Sequence, residues 1–188
     1  MKKPWIEHYP LSVDSADLLW RPADWILPRP QPALQSWLLD PGSLTQRLKE
    51  HSDGQFRVRV LEEKWVQRTS PSLLQCFPVH LTQCRMWSRK VLLQCGDLPW
   101  VMAHSLIPVT TMVGELRCLR RLSDRPLGEF LFRDPLLQRS QLEVTRWQGI
   151  YGRRSLFHLQ GRPLLVAEFF LPALLEGRFP CDVGSDSP

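Results

Sequence analysis

Arg153-Arg-Ser-Leu-Phe-His-Leu-Gln-Gly-Arg-Pro-Leu-Leu-Val-Ala-Glu-Phe-Phe-Leu171 reads as two strands, 153–159 and 164–171, around a turn at Gln160-Gly-Arg-Pro163. A connection this short joins only antiparallel neighbours. Side chains alternate between the two faces of a strand, so Leu164, Val166, Glu168 and Phe170 share one face. That face sets a carboxylate among large apolar groups. A four-residue turn that makes Leu159 face Leu164 also makes Ser155 face Glu168, with Arg153 diagonal to it.

The chain upstream repeats the pattern. Residues 85–94 and 100–107 read as strands joined around Cys95-Gly-Asp-Leu98, with Arg85, Trp87, Arg89, Val91 and Leu93 on one face and His104 across the hairpin from Arg89. Phe56, Val58 and Val60 alternate with Arg57 and Arg59 as in a strand with one wet face, and 141–147 makes another strand. Helices are fewer. Residues 33–39 suit a short one, and Ser43-Leu-Thr-Gln46 has capping-box spacing for a second that Gly54 can stop. Leu116, Leu119 and Leu122 mark an approximate helical face, and Pro126 opens a helix over 127–132. Strands outnumber helices and follow one another. The expected fold is therefore α+β, a single domain with an antiparallel β-sheet and helices packed on it, one layer on another.

Residues 1–32 hold six prolines, which bar a long helix or a central strand there. With Trp5, Trp20 and Trp25 they suggest an N-terminal arm lying on the body, which spans 33–175, while 176–188 reads as a flexible tail. The 188 residues suit one domain with a sizeable core. A net charge of +5 favours anionic partners without choosing among a small acid, a nucleic acid and a membrane surface. The five cysteines have wide, irregular spacing with no Cys-x-x-Cys pair, which points to a reducing compartment rather than a zinc site. The apolar run 98–113 is broken by Pro99, His104 and Pro108 and falls short of a membrane span. A cytoplasmic protein without membrane insertion is expected.

Two polar residues on apolar faces stand out. A buried guanidinium at Arg89 needs an acceptor, and its planar fork suits a carboxylate. A plainer reading makes it an edge residue or the partner of a protein acid, and periodicity alone does not separate the two. Glu168 is shifted toward its neutral form unless a cation or donors hold it charged, which is how hydroxyl-binding groups and general acids arise, and a structural pair with Arg153 is its plainer reading. The five histidines lack metal-ligand spacing. No phosphate-binding glycine loop or nucleophile elbow occurs. Arg117, Arg120 and Arg121 read as a solvated helix face, without the aromatic backing or fold motif a nucleic-acid interface needs.

In six ordered blocks the chain resembles the chorismate pyruvate-lyase family over most of residues 35–172. They are Ser36-Trp-Leu-Leu39 with Ser43-Leu-Thr-Gln-Arg47, Trp87-Ser-Arg89, Pro99-Trp100 leading to Ile107-Pro-Val109, Arg125-Pro-Leu-Gly-Glu-Phe-Leu-Phe132, Gly152-Arg-Arg-Ser155, and Gly161-Arg-Pro-Leu-Leu165 running to Glu168-Phe-Phe-Leu-Pro172. The resemblance implies a chorismate lyase-like fold and a lyase needing neither metal nor organic cofactor. It implies cleavage of chorismate to 4-hydroxybenzoate and pyruvate for ubiquinone synthesis; the expected partners are these small molecules, and a monomer is expected. Arg89 matches the family arginine for the ring carboxylate, and Glu168 the glutamate that meets the hydroxyl at the far end. Leu127 matches a position that binds through its backbone, and Leu44 stands where the family has Met. Arg153, with Arg154 as the lesser candidate, is expected to take the pyruvyl carboxylate, and His104 replaces a family Arg. A site so well matched to an aromatic acid is also expected to hold its product tightly and release it slowly. A non-catalytic, aromatic-acid-sensing effector domain on a related sheet is the competing reading, and a nucleic-acid-binding protein, whose affinity would collapse with salt, is a third.

Overall fold

In the computed structural model the last hairpin forms as β7 (Ile150–Leu159) and β8 (Arg162–Phe170), joined by Gln160 and Gly161 alone. The description covers residues 12, 13, 15, 17–25, 29–67, 73 and 76–176. Gln160 and Gly161 both have positive φ, 51° and 73°, the geometry of a two-residue turn whose twist matches that of paired strands. The turn is therefore two residues rather than four, and Leu159 faces Arg162. This corrects the expected register: Arg153 lies directly opposite Glu168, and Ser155 opposite Val166.

The remaining strands are β1 (Arg21–Pro22), β2 (Phe56–Val66), β3 (Met86–Cys95), β4 (Leu98–Pro108), β5 (Gln138–Arg139) and β6 (Glu143–Trp147). All pair antiparallel in the order β1-β6-β7-β8-β4-β3-β2, with β5 on β7. An α+β fold with an antiparallel sheet is what the chain adopts. Strand β2 runs six residues past the expected Val60 and carries a bulge between Val60 and Glu62. It forms one end of the strand order, and its Arg57, Arg59, Glu62, Glu63 and Lys64 are the charges that keep such a strand from pairing with another chain.

Both faces of the sheet are covered, where one layer on another was expected. On the front face α1 (Pro32–Leu38) and α2 (Leu44–His51) pack Leu34, Trp37, Leu38, Leu44 and Leu48 against Val91, Val101 and Phe170. Ser43 caps α2 by accepting from the Gln46 N–H at 3.3 Å. Beside them a 3₁₀ helix (Gly114–Arg121) and α4 (Leu127–Leu131) pack Leu116, Leu119, Leu127 and Leu131 against Phe157 and Leu164. The three-residue spacing of Leu116, Leu119 and Leu122 is the 3₁₀ period itself. Arg117, Arg120 and Arg121 are exposed along this helix, and Arg120 also lies over the Trp65 and Trp87 rings.

On the back face Val13, Leu18 and Trp20 of the arm, together with Leu73, Phe77 and Leu81, cover Met86, Leu92, Leu106, Leu165 and Phe169; Leu81 belongs to α3 (Val79–Thr82). Cover on both faces explains why β4, buried along nearly its whole length, shows so little alternation. Trp25 is 63% exposed, while Trp5 and most of the tail lie outside the described residues. The Trp20 ring lies 5.9 Å from Phe169 and 4.7 Å from the Arg154 guanidinium. Trp20→Ala should therefore cost about 3–5 kcal/mol of stability in urea denaturation. A loss no larger than a surface substitution gives, about 0.5 kcal/mol, would show that the arm is not part of the core.

Candidate active site

Between the two apolar clusters of the front face lies a cavity of about 580 Å³, mouth included. Arg89, Glu168, Leu44, Leu127 and Arg153 all line it, brought together from β3, β8, α2, α4 and β7. Its other walls are largely apolar, among them Val91, Leu131, Phe157 and Val166.

Arg89 projects from β3 with a side chain only 2% exposed. Its Nε donates to Glu63 Oε1 at 2.8 Å, and its Nη2 to the carbonyls of Ser123 (2.6 Å) and Arg125 (3.1 Å). Nη1 remains for whatever occupies the cavity. Burial pushes this guanidinium below its ordinary value and Glu63 offsets part of that, so the group stays a cation. Glu63 owes its place to the bulge in β2. Regular pairing beyond Val60 and Val91 would set Glu62 opposite Arg89; the extra residue makes it Glu63 and puts Glu62 opposite Lys90.

Glu168 faces the same cavity from β8. Residue pairs across β4 place Arg89 beside Ser105 and Glu168 beside Ala103, so the two charges sit on one side of the sheet with a single strand between them. Two strand spacings and a two-residue offset along β4 set their Cα atoms roughly 12 Å apart. Arg153 Nε donates to Glu168 Oε2 at 2.6 Å. Its Nη1 reaches the carbonyls of Trp37 (3.0 Å), Leu38 (3.4 Å) and Asp40 (2.7 Å), at and just beyond the end of α1 where helix carbonyls lack internal partners. Asp40 in turn is gripped by its neighbours. Burial acts to raise its carboxyl, but the Gly42 N–H and the Arg47 guanidinium prevail and hold it below the usual carboxylate range.

Two expected residues lie elsewhere. Arg154 points to the back face, as the residue after Arg153 on a strand has to, where its Nε meets Glu143 Oε2 at 2.7 Å and its guanidinium stacks on Trp20. It cannot hold a ligand in this cavity. His104 likewise sits behind the sheet, paired with Lys90 rather than Arg89. Its Nδ1 accepts from the Val13 N–H at 3.1 Å, which assigns the ring proton to Nε2, 2.9 Å from Ser88 Oγ. His104 pins the arm and does not touch the cavity.

Sequence reasoning missed Arg139. It lies on the two-residue β5, lines the cavity, and stacks 5.2 Å from the Phe157 ring centroid. No periodicity marks so short a strand. Its nearest signal is the Arg139-Ser140 step that ends the loop after α4. Among the described residues no three His, Cys, Asp or Glu side chains are grouped to hold a metal ion, and no helix is long and apolar enough to cross a membrane.

A family model described as chorismate lyase matches residues 15–178. The chain belongs to the chorismate lyase family. Relatives named chorismate pyruvate-lyase from Escherichia coli O1:K1 and from Escherichia coli O157:H7 (strain EC4115) are each 35% identical over 148 residues, covering 78% of this chain and 87% of theirs. Among solved structures, a GntR-family transcriptional regulator from Bacillus cereus overlaps 63% of this chain and 92% of its own with a TM-score of 0.40 at 12% identity, a likeness too slight to bear on function.

In this chorismate lyase family member the cavity is roofed where α4 meets α2. A Cβ on Gly128 would lie 2.5 Å from Thr45 Oγ1 and 3.3 Å from Thr45 Cβ, and Thr45 is buried. Lys49 and Glu129 pair across the same junction. Gly128→Ala should thus push α4 off α2 and lower stability by about 1–3 kcal/mol, read as a fall in melting temperature. An unchanged melting temperature would show that Thr45 yields freely.

Proposed function

We propose that the protein is a cytoplasmic lyase that converts chorismate to 4-hydroxybenzoate and pyruvate and so supplies ubiquinone synthesis. One observation carries the site assignment: a cation and an acid from different strands enter one apolar cavity on the same sheet face, their Cα atoms roughly 12 Å apart. A flat ring with a carboxylate at one end and a hydroxyl at the other suits the gap between their side chains.

In this reading Arg89 Nη1, with the N–H of Leu127 at the opening of α4, binds the ring carboxylate. Glu168 uses Oε1 to accept from the 4-hydroxyl, because Oε2 is taken by Arg153. Arg153 is a positioning residue, fixing the aim of Glu168 through the bond to Oε2. Leu44 walls the ring. The C3–O bond then breaks, its electron pair passing to the enolpyruvyl oxygen. C4 releases a proton as the third ring double bond forms, and a proton added to the enolpyruvate methylene yields pyruvate. Aromatisation supplies the driving force. The protein has to hold one conformer and stabilise the charge growing on the departing oxygen, which preorganised cations in a water-poor cavity do well.

Purified protein mixed with chorismate, without added metal, should form 4-hydroxybenzoate and pyruvate in equal amounts. Arg89→Ala should lower kcat/KM by at least a hundredfold while leaving the circular dichroism spectrum unchanged. Turnover within a few-fold of the parent would remove Arg89 from the assignment. Tight binding of 4-hydroxybenzoate without any chorismate turnover would instead make the cavity that of an aromatic-acid sensor.

A further inference from the structure

Four charged side chains line the cavity: Arg89, Arg139, Arg153 and Glu168. Two of the arginines are neutralised within the protein, Arg89 by Glu63 and Arg153 by Glu168. Arg139 is not. Its Nε donates to Ser155 Oγ at 3.0 Å, and its Nη1 to the carbonyls of Pro41 (3.1 Å) and Asp40 (3.4 Å), all uncharged acceptors. Those bonds leave Nη2 unused.

Holding a guanidinium this way is unfavourable. Burial pushes the group below its ordinary value, the neighbouring Arg153 cation pushes the same way, and Glu168 and Asp40 only partly offset them. A fold that keeps an unneutralised cation beside another in an apolar cavity is completed by an anion from outside. The cavity already has a cation for one carboxylate at the Arg89 end. Arg139 lies at the other end, close enough to Glu168 and Arg153 to feel both charges.

Chorismate carries two carboxylates, and the second hangs from C3, next to the carbon whose hydroxyl Glu168 is proposed to meet. We propose that Arg139 binds the enolpyruvyl carboxylate of the substrate through Nη2, an assignment that rests on the lyase reading above. Arg139 then touches the substrate and not the aromatic product. It serves as the residue that tells chorismate from 4-hydroxybenzoate, and its charge lies beside the oxygen on which electrons collect as the C3–O bond breaks.

Three variants test this, Arg139→Ala, Arg139→Gln and Arg139→Lys, each measured for chorismate kinetics and for inhibition by 4-hydroxybenzoate. The expected result is a loss of at least a hundredfold in kcat/KM for Arg139→Ala and Arg139→Gln, partial recovery in Arg139→Lys, and an inhibition constant for 4-hydroxybenzoate that changes less than about threefold. A merely structural Arg139, holding Ser155 and the Asp40–Pro41 carbonyls, would weaken substrate and product alike, and that outcome overturns the proposal. So does a kcat/KM within a few-fold of the parent. Should the neutral variants fail to fold, the parent protein decides: 3-(carboxymethoxy)-4-hydroxybenzoate should bind at least tenfold more tightly than its side-chain amide, and equal affinities overturn the proposal. A parent protein that neither turns over chorismate nor binds 4-hydroxybenzoate sinks the lyase reading itself, whereas normal parent turnover with indifferent variants sinks only the role of Arg139.

Discussion

Arg153 joins the helical layer to the sheet. Its guanidinium, 1% exposed, donates at once to Glu168 on the neighbouring strand and to three carbonyls at and beyond the end of α1. A charge so deeply buried is costly on its own, and it is tolerable here because a carboxylate and the negative end of a helix meet it together. Those acceptors come from three separate segments. The set is complete only when α1 is seated, the connection to α2 has its native path, and β7 and β8 pair in the observed register. Glu168 is thereby left with one oxygen bound and the other turned to the cavity.

The connection through Asp40 and Pro41 has a double duty, since its carbonyls also hold Arg139. It is itself fastened by the Asp40 carboxylate, which takes the Gly42 N–H at 2.7 Å and Arg47 at 2.8 Å. Cations, acid and acceptors thus form one rigid frame at a single end of the cavity. At the other end the bulge in β2 performs a similar service, shifting one residue along so that Glu63 rather than Glu62 reaches Arg89. Two apolar clusters flank the whole arrangement and keep water scarce, which strengthens every charge interaction between them. The site is expensive to build for the reason that makes it useful.

Arg89 and Glu168 were legible because alternation along a strand is a strict geometric rule: each is the polar member of an apolar face, and both faces proved to be the same side of one sheet. The rule fails where its inputs are ambiguous. Gln160-Gly-Arg-Pro163 permitted a four-residue turn, and only the left-handed backbone at Gln160 and Gly161 shortens it and brings Arg153 squarely opposite Glu168. Arg153 and Arg154 are adjacent and chemically alike, yet one borders the cavity and the other lies behind the sheet on Trp20. Strand parity decides between them once the register is known.

What the sequence alone determined is the architecture and the chemical character of the site: an antiparallel sheet from successive short strands, a capped helix at Ser43, an arginine and a glutamate on apolar faces, and six motif blocks in family order. These are local or periodic properties, written within a few residues of one another. The tertiary structure decided which charges are neutralised and which are left for a ligand. Glu63 meets Arg89 through a bulge, His104 fastens the arm behind the sheet, and Arg139 arrives on a two-residue strand beside Arg153. Each depends on segments remote in sequence meeting in space, and electrostatic compensation follows distance in three dimensions rather than order along the chain.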